Sequence, residues 1–263
     1  MKPLACFSFL GLFLAAGAHA AAVTKNIDYD VGGKKMQSVL VYDDAAKTPR
    51  PGLVMTPDWL GINANNIELA KQVAGKDYVI LVADVYGADT RPKNPEEAGA
   101  AAKNMYAHRD QLRARIDAAL AQLKGEAGRA PLDGRHWGAF GYCFGGTTTL
   151  DLARSGADVA GVVSLHGNLA GDPAFKDQIK AKVLVLHGAD DKFESPEQIA
   201  SFQQEMRDAD ADWEFISYGG AVHCFAIPSA DGKTVPGCKY DAPVAKRAYA
   251  RMNAFFAELF GVK

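Results

Sequence analysis

Cysteine is scarce in this chain, with four residues among 263, and no two are spaced C-x-x-C. That excludes a dithiol redox motif and a cysteine-rich disulfide or zinc scaffold. An excess of one charge sign is missing too: 29 Lys and Arg face 31 Asp and Glu, a net charge of −2, with no long basic or acidic run. Binding to nucleic acid or to anionic membranes therefore has no support. No internal repeat, low-complexity tract or linker interrupts the chain. No spaced His/Cys cluster calls for a metal, and no cofactor is expected. What is present is ordinary globular composition, 48% apolar and 23% charged, with enough length for one large α/β domain.

The one markedly apolar run is N-terminal. Met1-Lys2 supplies a positive end, Leu4 to Ala16 an apolar stretch, and Ala18-His19-Ala20 a small-x-small site. The pattern is that of a secretory signal peptide over residues 1–20, cleaved after Ala20. The run is shorter than the ~20 residues that span a bilayer, so no membrane association is expected after cleavage. The reading is an exported protein, secreted or periplasmic, with one domain over 21–263. Cys6 leaves with the signal, and Cys143, Cys224 and Cys238 remain. An odd count in an oxidising compartment leaves at least one thiol unpaired or joined to another molecule. A disulfide between Cys224 and Cys238, closing the loop Phe225 to Gly237 and leaving Cys143 free, is the expectation. Two unpaired thiols are the alternative.

Strand and helix patterns alternate. Val23–Asp30 and Gln37–Tyr42 read as an antiparallel pair. Gly52–Thr56, Tyr78–Ala83, His136–Phe140, Val159–Leu165, Lys182–Leu186 and Asp212–Tyr218 read as further strands. Helices are expected over Asn63–Ala74, Thr147–Arg154, Ser195–Arg207 and Asp241–Phe260, with one long helix from Pro95 to Lys124. Continuous Val/Leu/Ile runs separated by helices imply a mostly parallel sheet covered on both faces. In such sheets the site lies beyond the carboxyl ends of the strands.

Gly141-Tyr142-Cys143-Phe144-Gly145-Gly146 lies between a strand and a helix, the place of a nucleophile elbow. The helix N-terminus favours a thiolate there. A buried structural cysteine is the other reading of the same residue. A nucleophile needs a base and a group that orients the base. In α/β-hydrolases these follow in the order nucleophile, acid, histidine. Here His187-Gly188-Ala189-Asp190-Asp191 follows one strand and Val222-His223 the next. His223 alone occupies the last strand–helix loop. His166 follows Leu165 and lines the site in this reading, while His187 serves a hydrogen-bond network at the acidic turn. From position alone, Asp190 and Asp191 are not separable.

These motifs resemble the dienelactone hydrolase family, within the α/β-hydrolase superfamily, over nearly the whole chain from Val23. The elbow is similar to the family's G-Y-C-x-G-G, and Asp84-Val85-Tyr86-Gly87 to its D-x-Y segment. The resemblance implies an α/β-hydrolase fold and places the acid on Asp191 and the histidine on His223. Two departures accompany it. The family's glutamate, which contacts the cysteine, is replaced by the shorter Asp58. Of two arginines that meet a substrate carboxylate, Arg91 is a shifted counterpart of one, and Ile227 occupies the place of the other.

The function expected is hydrolysis of a small ester or lactone, carboxymethylenebutenolidase-like, by Cys143, His223 and Asp191 through an acyl-enzyme. The Trp59 and Phe144 amides form the oxyanion hole. Asp58, Tyr86, Arg91, His166 and Phe225 are expected around the substrate. The alternatives are a thioesterase or general carboxylesterase, a binding protein without turnover, and a thiol redox protein.

Overall fold

The computed structural model describes residues 22–45, 48–171 and 179–261; the signal peptide read over 1–20 lies outside them. The first two strands, β1 (Ala22–Val31) and β2 (Lys34–Asp43), pair antiparallel along their full length. Then follow β3 (Arg50–Thr56), β4 (Val79–Val82), β5 (Leu132–Tyr142), β6 (Gly161–Leu165), β7 (Lys182–Gly188) and β8 (Trp213–Tyr218). They form one eight-stranded sheet in the order β1-β2-β4-β3-β5-β6-β7-β8. From β4 to β8 every pairing is parallel.

The central strands are apolar without alternation because both faces are covered. Every residue of β3, β4 and β6 is buried. Neighbours along a strand serve opposite cores: Val54 and Leu81 pack on one side, Leu53 and Ile80 on the other. Helices α1 (Ala64–Ala74) and α6 (Ala242–Phe260) cover the second side through Leu69, Met252 and Phe256. The first side is covered by α2 (Pro95–Ala107), α3 (Arg109–Gly125), α4 (Phe144–Arg154) and α5 (Pro196–Asp208).

The single helix expected over Pro95–Lys124 is two helices, broken at His108 (φ −131°, ψ 59°). The cause is local. The His108 ring Nδ1 meets the Asn104 carbonyl at 2.9 Å, the acceptor that a continuing helix would assign to the His108 amide. That amide bonds the Met105 carbonyl instead, at 3.1 Å. Beyond the break, Arg109 grips Asp151 of α4 through two bonds of 2.9 and 2.7 Å. One turn earlier on α4, Thr147 accepts from the Tyr106 hydroxyl at 3.3 Å. The end of α2 is thereby fixed beside the elbow. The elbow strand is also longer than expected, and α4 begins at Phe144 rather than Thr147.

Candidate active site

Strand β5 runs into α4 through Cys143 alone. Its backbone is at φ 53° and ψ −120°, a conformation costly for a side chain with a Cβ and recurrent where reactive groups are lifted out of a sheet. Glycine is required on both sides. A Cβ on Gly141 would fall on the Gly145 carbonyl, and one on Gly145 on the Thr56 carbonyl. Among the described residues, three of the four non-glycine positions with positive φ gather here: Cys143, His166 and Cys224.

His223 lies in the loop after β8. Its Nε2 is 3.1 Å from the Cys143 Sγ, and its Nδ1 is 2.7 Å from the Asp191 Oδ2. Asp191 is buried in the loop after β7, and its Oδ1 accepts from the Phe193 amide at 2.9 Å. Asp190 is exposed. Burial opposes a charge on the His223 ring, but the Cys143 sulfur and the Asp191 carboxylate outweigh it and push its pKa up to about 10.

Cys224 and Cys238 are joined in a disulfide, with Cα atoms 4.9 Å apart, and Cys143 is free. The cross-link closes the segment after His223 at its root. There the Lys239 amide also bonds the His223 carbonyl at 2.9 Å.

Two cavities flank the sulfur. The larger, 330 Å³, is walled by Trp59, Tyr106, Phe144, Phe193, Val235 and the disulfide, together with Asn168 and Glu194. The smaller, 230 Å³, is lined by Asp58, Trp59, Lys93, Ile227 and Asp231 among others. Asp58 therefore lies in a cavity with Cys143. Its carboxylate accepts from the Leu60 amide at 2.9 Å and from Asn66 at 3.1 Å. Burial raises its pKa.

Five sequence expectations need correction. Tyr86 does not line either cavity at the sulfur; it lies behind the wall, stacked on Phe144 with ring centroids 5.4 Å apart. Arg91 bonds Asp84 at 3.0 Å and the carbonyls of Gly87 and Gln37 at 2.6 and 3.1 Å, so its charge serves the turn after β4. His166 is packed beneath the elbow, where its Nδ1 accepts from the Cys143 amide at 3.2 Å. Burial, helped by His223, holds its pKa well below the usual imidazole range. Phe225 is fully buried against His166, with centroids 5.1 Å apart. His187 has no hydrogen bond at Nδ1 among the described residues and packs on Phe215.

Tyr106, Asn168, Phe193 and Glu194 were not anticipated. Asn168 and the Phe193-Glu194 pair both follow parallel strands, β6 and β7, which is the one signal the sequence offered for them. Tyr106 comes from a helix end, and nothing in its spacing marks it. Among the described residues, no group of three or more His, Cys, Asp or Glu side chains could hold a metal ion. No helix among them is long and apolar enough to cross a membrane.

Strand order, crossover helices and an elbow between β5 and α4 define an α/β-hydrolase fold. The model of the dienelactone hydrolase family matches residues 36–260, and the chain belongs to that family. A solved dienelactone hydrolase-like promiscuous phosphotriesterase, P91, from metagenomic libraries is 33% identical, with a TM-score of 0.84 over 91% of this chain and 99% of that one. The Caenorhabditis elegans "Uncharacterized protein K02A2.1" is 36% identical over 154 residues, 57% of this chain and 95% of its own. The dienelactone hydrolase of Anabaena variabilis shares the fold at 19% identity, with a TM-score of 0.61 over 89% and 98% of the two chains.

Proposed function

We propose that this hydrolase cleaves a small ester or lactone by nucleophilic attack of the Cys143 sulfur on the carbonyl carbon. The observation that carries the reading is the contact of the His223 Nε2 with Sγ at 3.1 Å while Asp191 holds Nδ1 at 2.7 Å. In this mechanism the ring already holds the proton taken from the thiol, as an imidazolium beside the sulfur, and the carboxylate fixes the ring's orientation. The sulfur–carbon bond forms as the carbonyl π pair moves onto oxygen. Collapse of that tetrahedral adduct expels the alkoxide, which takes its proton from the imidazolium. Water, deprotonated by His223, then cleaves the thioester and restores the thiol.

The negative oxygen is assigned to the backbone N–H groups of Phe144, at the start of α4, and Trp59. Among the described residues, neither amide is committed to a backbone acceptor. A single donor of this kind is typically worth ~3 kcal/mol of barrier. The similarity to P91 adds neutral phosphotriesters as a second class of electrophile, which the absence of Lys and Arg from the larger cavity's walls among the described residues favours. The Cys224–Cys238 disulfide supports the reading of an exported protein cleaved after Ala20.

The test is a panel of esters, lactones, thioesters and triesters offered to the mature protein and to Cys143→Ala. Burst kinetics and turnover confined to the protein with the thiol are expected. Tight binding with no turnover across the panel overturns the proposal.

A further inference from the structure

Beyond the Cys143–His223 pair at the sulfur, the larger cavity carries one carboxyl on its walls among the described residues. Glu194 is 5% exposed and stands on that wall with Asn168. Both of its oxygens are fixed: Asn168 Nδ2 donates to Oε1 at 2.6 Å, and the Leu169 amide to Oε2 at 3.1 Å. Two bonds from the loop after β6 hold a carboxyl from the loop after β7, so its position is built and not incidental. The mechanism above gives it no part. Among the described residues, no lysine or arginine lines the same cavity. Arg91 is committed to Asp84, and Ile227 lies on the smaller cavity.

We infer that Glu194 is the specificity-determining residue of the larger cavity, admitting uncharged substrate groups and rejecting those that bring a carboxylate or other negative charge beside it. This rests on Cys143 as the attacking group. A like charge brought beside an ionised, nearly buried carboxylate lacks the water that would screen it, and a penalty on the order of tenfold or more in rate follows. The discrimination depends on pH. Burial first, and then Asp191, raise the Glu194 pKa to about 7, against the amides of Leu169 and Asn168 and the His223 charge. The other ionisable groups lining the cavity are Cys143, Tyr106 and His223. His223, pushed up to about 10, keeps its charge between pH 6 and 8. Glu194 gains its own charge over that interval.

Two probes of the Cys143 thiol separate this inference from the hydrolase reading. Alkylation by uncharged iodoacetamide and by anionic iodoacetate needs no turnover. In Glu194→Gln the iodoacetate rate rises relative to iodoacetamide by about fivefold or more at pH 8, and by less at pH 6. In the wild-type protein alone, the iodoacetamide-to-iodoacetate ratio climbs from pH 6 to pH 8 beyond that of glutathione. A ratio unmoved by the substitution, or flat with pH in the wild type, overturns the inference. The matched esters p-nitrophenyl valerate and mono-p-nitrophenyl adipate complete the test. Charge-selective alkylation without hydrolysis of either ester sinks the hydrolase reading and leaves the role of Glu194 standing. Hydrolysis of both with a ratio indifferent to Glu194→Gln does the reverse.

Discussion

The Tyr86 hydroxyl donates to the Trp59 carbonyl at 2.9 Å, so the loop carrying one proposed oxyanion donor is held from behind by the turn after β4. Asp84 organises that turn, accepting from the amides of Tyr86 and Gly87 at 3.1 and 2.9 Å. Tyr86→Phe removes the hydroxyl and keeps the ring stacked on Phe144. A lost hydrogen bond of about 1 kcal/mol lowers kcat roughly fivefold and leaves KM nearly unchanged. Equal loss in both parameters, or none, would show that the bond does not position the Trp59 amide.

Cys143→Ala abolishes turnover of p-nitrophenyl acetate, a fall of about 10³-fold or more, together with stoichiometric labelling by iodoacetamide. Cys143→Ser retains a fraction of the esterase activity, because the hydroxyl occupies the same elbow beside the same imidazole. Undiminished hydrolysis by the alanine variant would remove the thiol from the reaction.

Asp191 and Asp190 are adjacent in sequence and unequal in consequence. Asp191→Asn keeps the shape but favours the wrong imidazole tautomer, and kcat falls by roughly 10²- to 10⁴-fold. Asp190→Asn stays within about twofold of the parent, since the side chain is exposed. Steady-state kinetics of the two single variants decide the assignment.

One thiol titrates per mature molecule under denaturing, non-reducing conditions, and three after reduction. Replacing both Cys224 and Cys238 by Ser releases a loop with a sequence separation of 14. The loss is about 3 kcal/mol, a fall in Tm of about 6–12 °C.

Glu194 also makes stability depend on pH. Its folded pKa, raised from 4.5 to about 7, means the folded protein holds that proton more tightly than the unfolded chain. The contribution is therefore complete below about pH 4.5 and is lost as pH rises through 7. Between pH 5 and pH 8 the Tm of the wild-type protein falls relative to that of Glu194→Gln by roughly 4–8 °C, about 2 kcal/mol. Parallel melting curves for the two proteins across this interval would contradict the assignment.

The elbow was legible because its chemistry is local. Gly141 and Gly145 are needed within four residues of one another, and the strand and helix they join are contiguous with them. His223 and Asp191 were legible through chain order and their places after β8 and β7. The cavity walls were not. His166 and Phe225 lie in loops at the right end of the sheet, yet both turn under the elbow, and the side of a loop that faces inward is set by packing. Arg91 was read as a substrate cation because its partner Asp84 is seven residues away on a turn whose shape the sequence does not display. Glu194 and Asn168 acquire meaning only by meeting across 26 positions. The break at His108 depended on one ring capturing one carbonyl, which helix propensity does not register.

The cross-link at the root of the segment following His223 confers modularity. With Cys224 tied to Cys238 and the His223 carbonyl tied to Lys239, the intervening stretch is anchored where it leaves the scaffold and where it returns. It furnishes Val235 to both chambers and Ser229, Ala230, Asp231 and Thr234 to the smaller one. Grafting different sequences between the two sulfurs would remodel both chambers at once while the imidazole keeps its address.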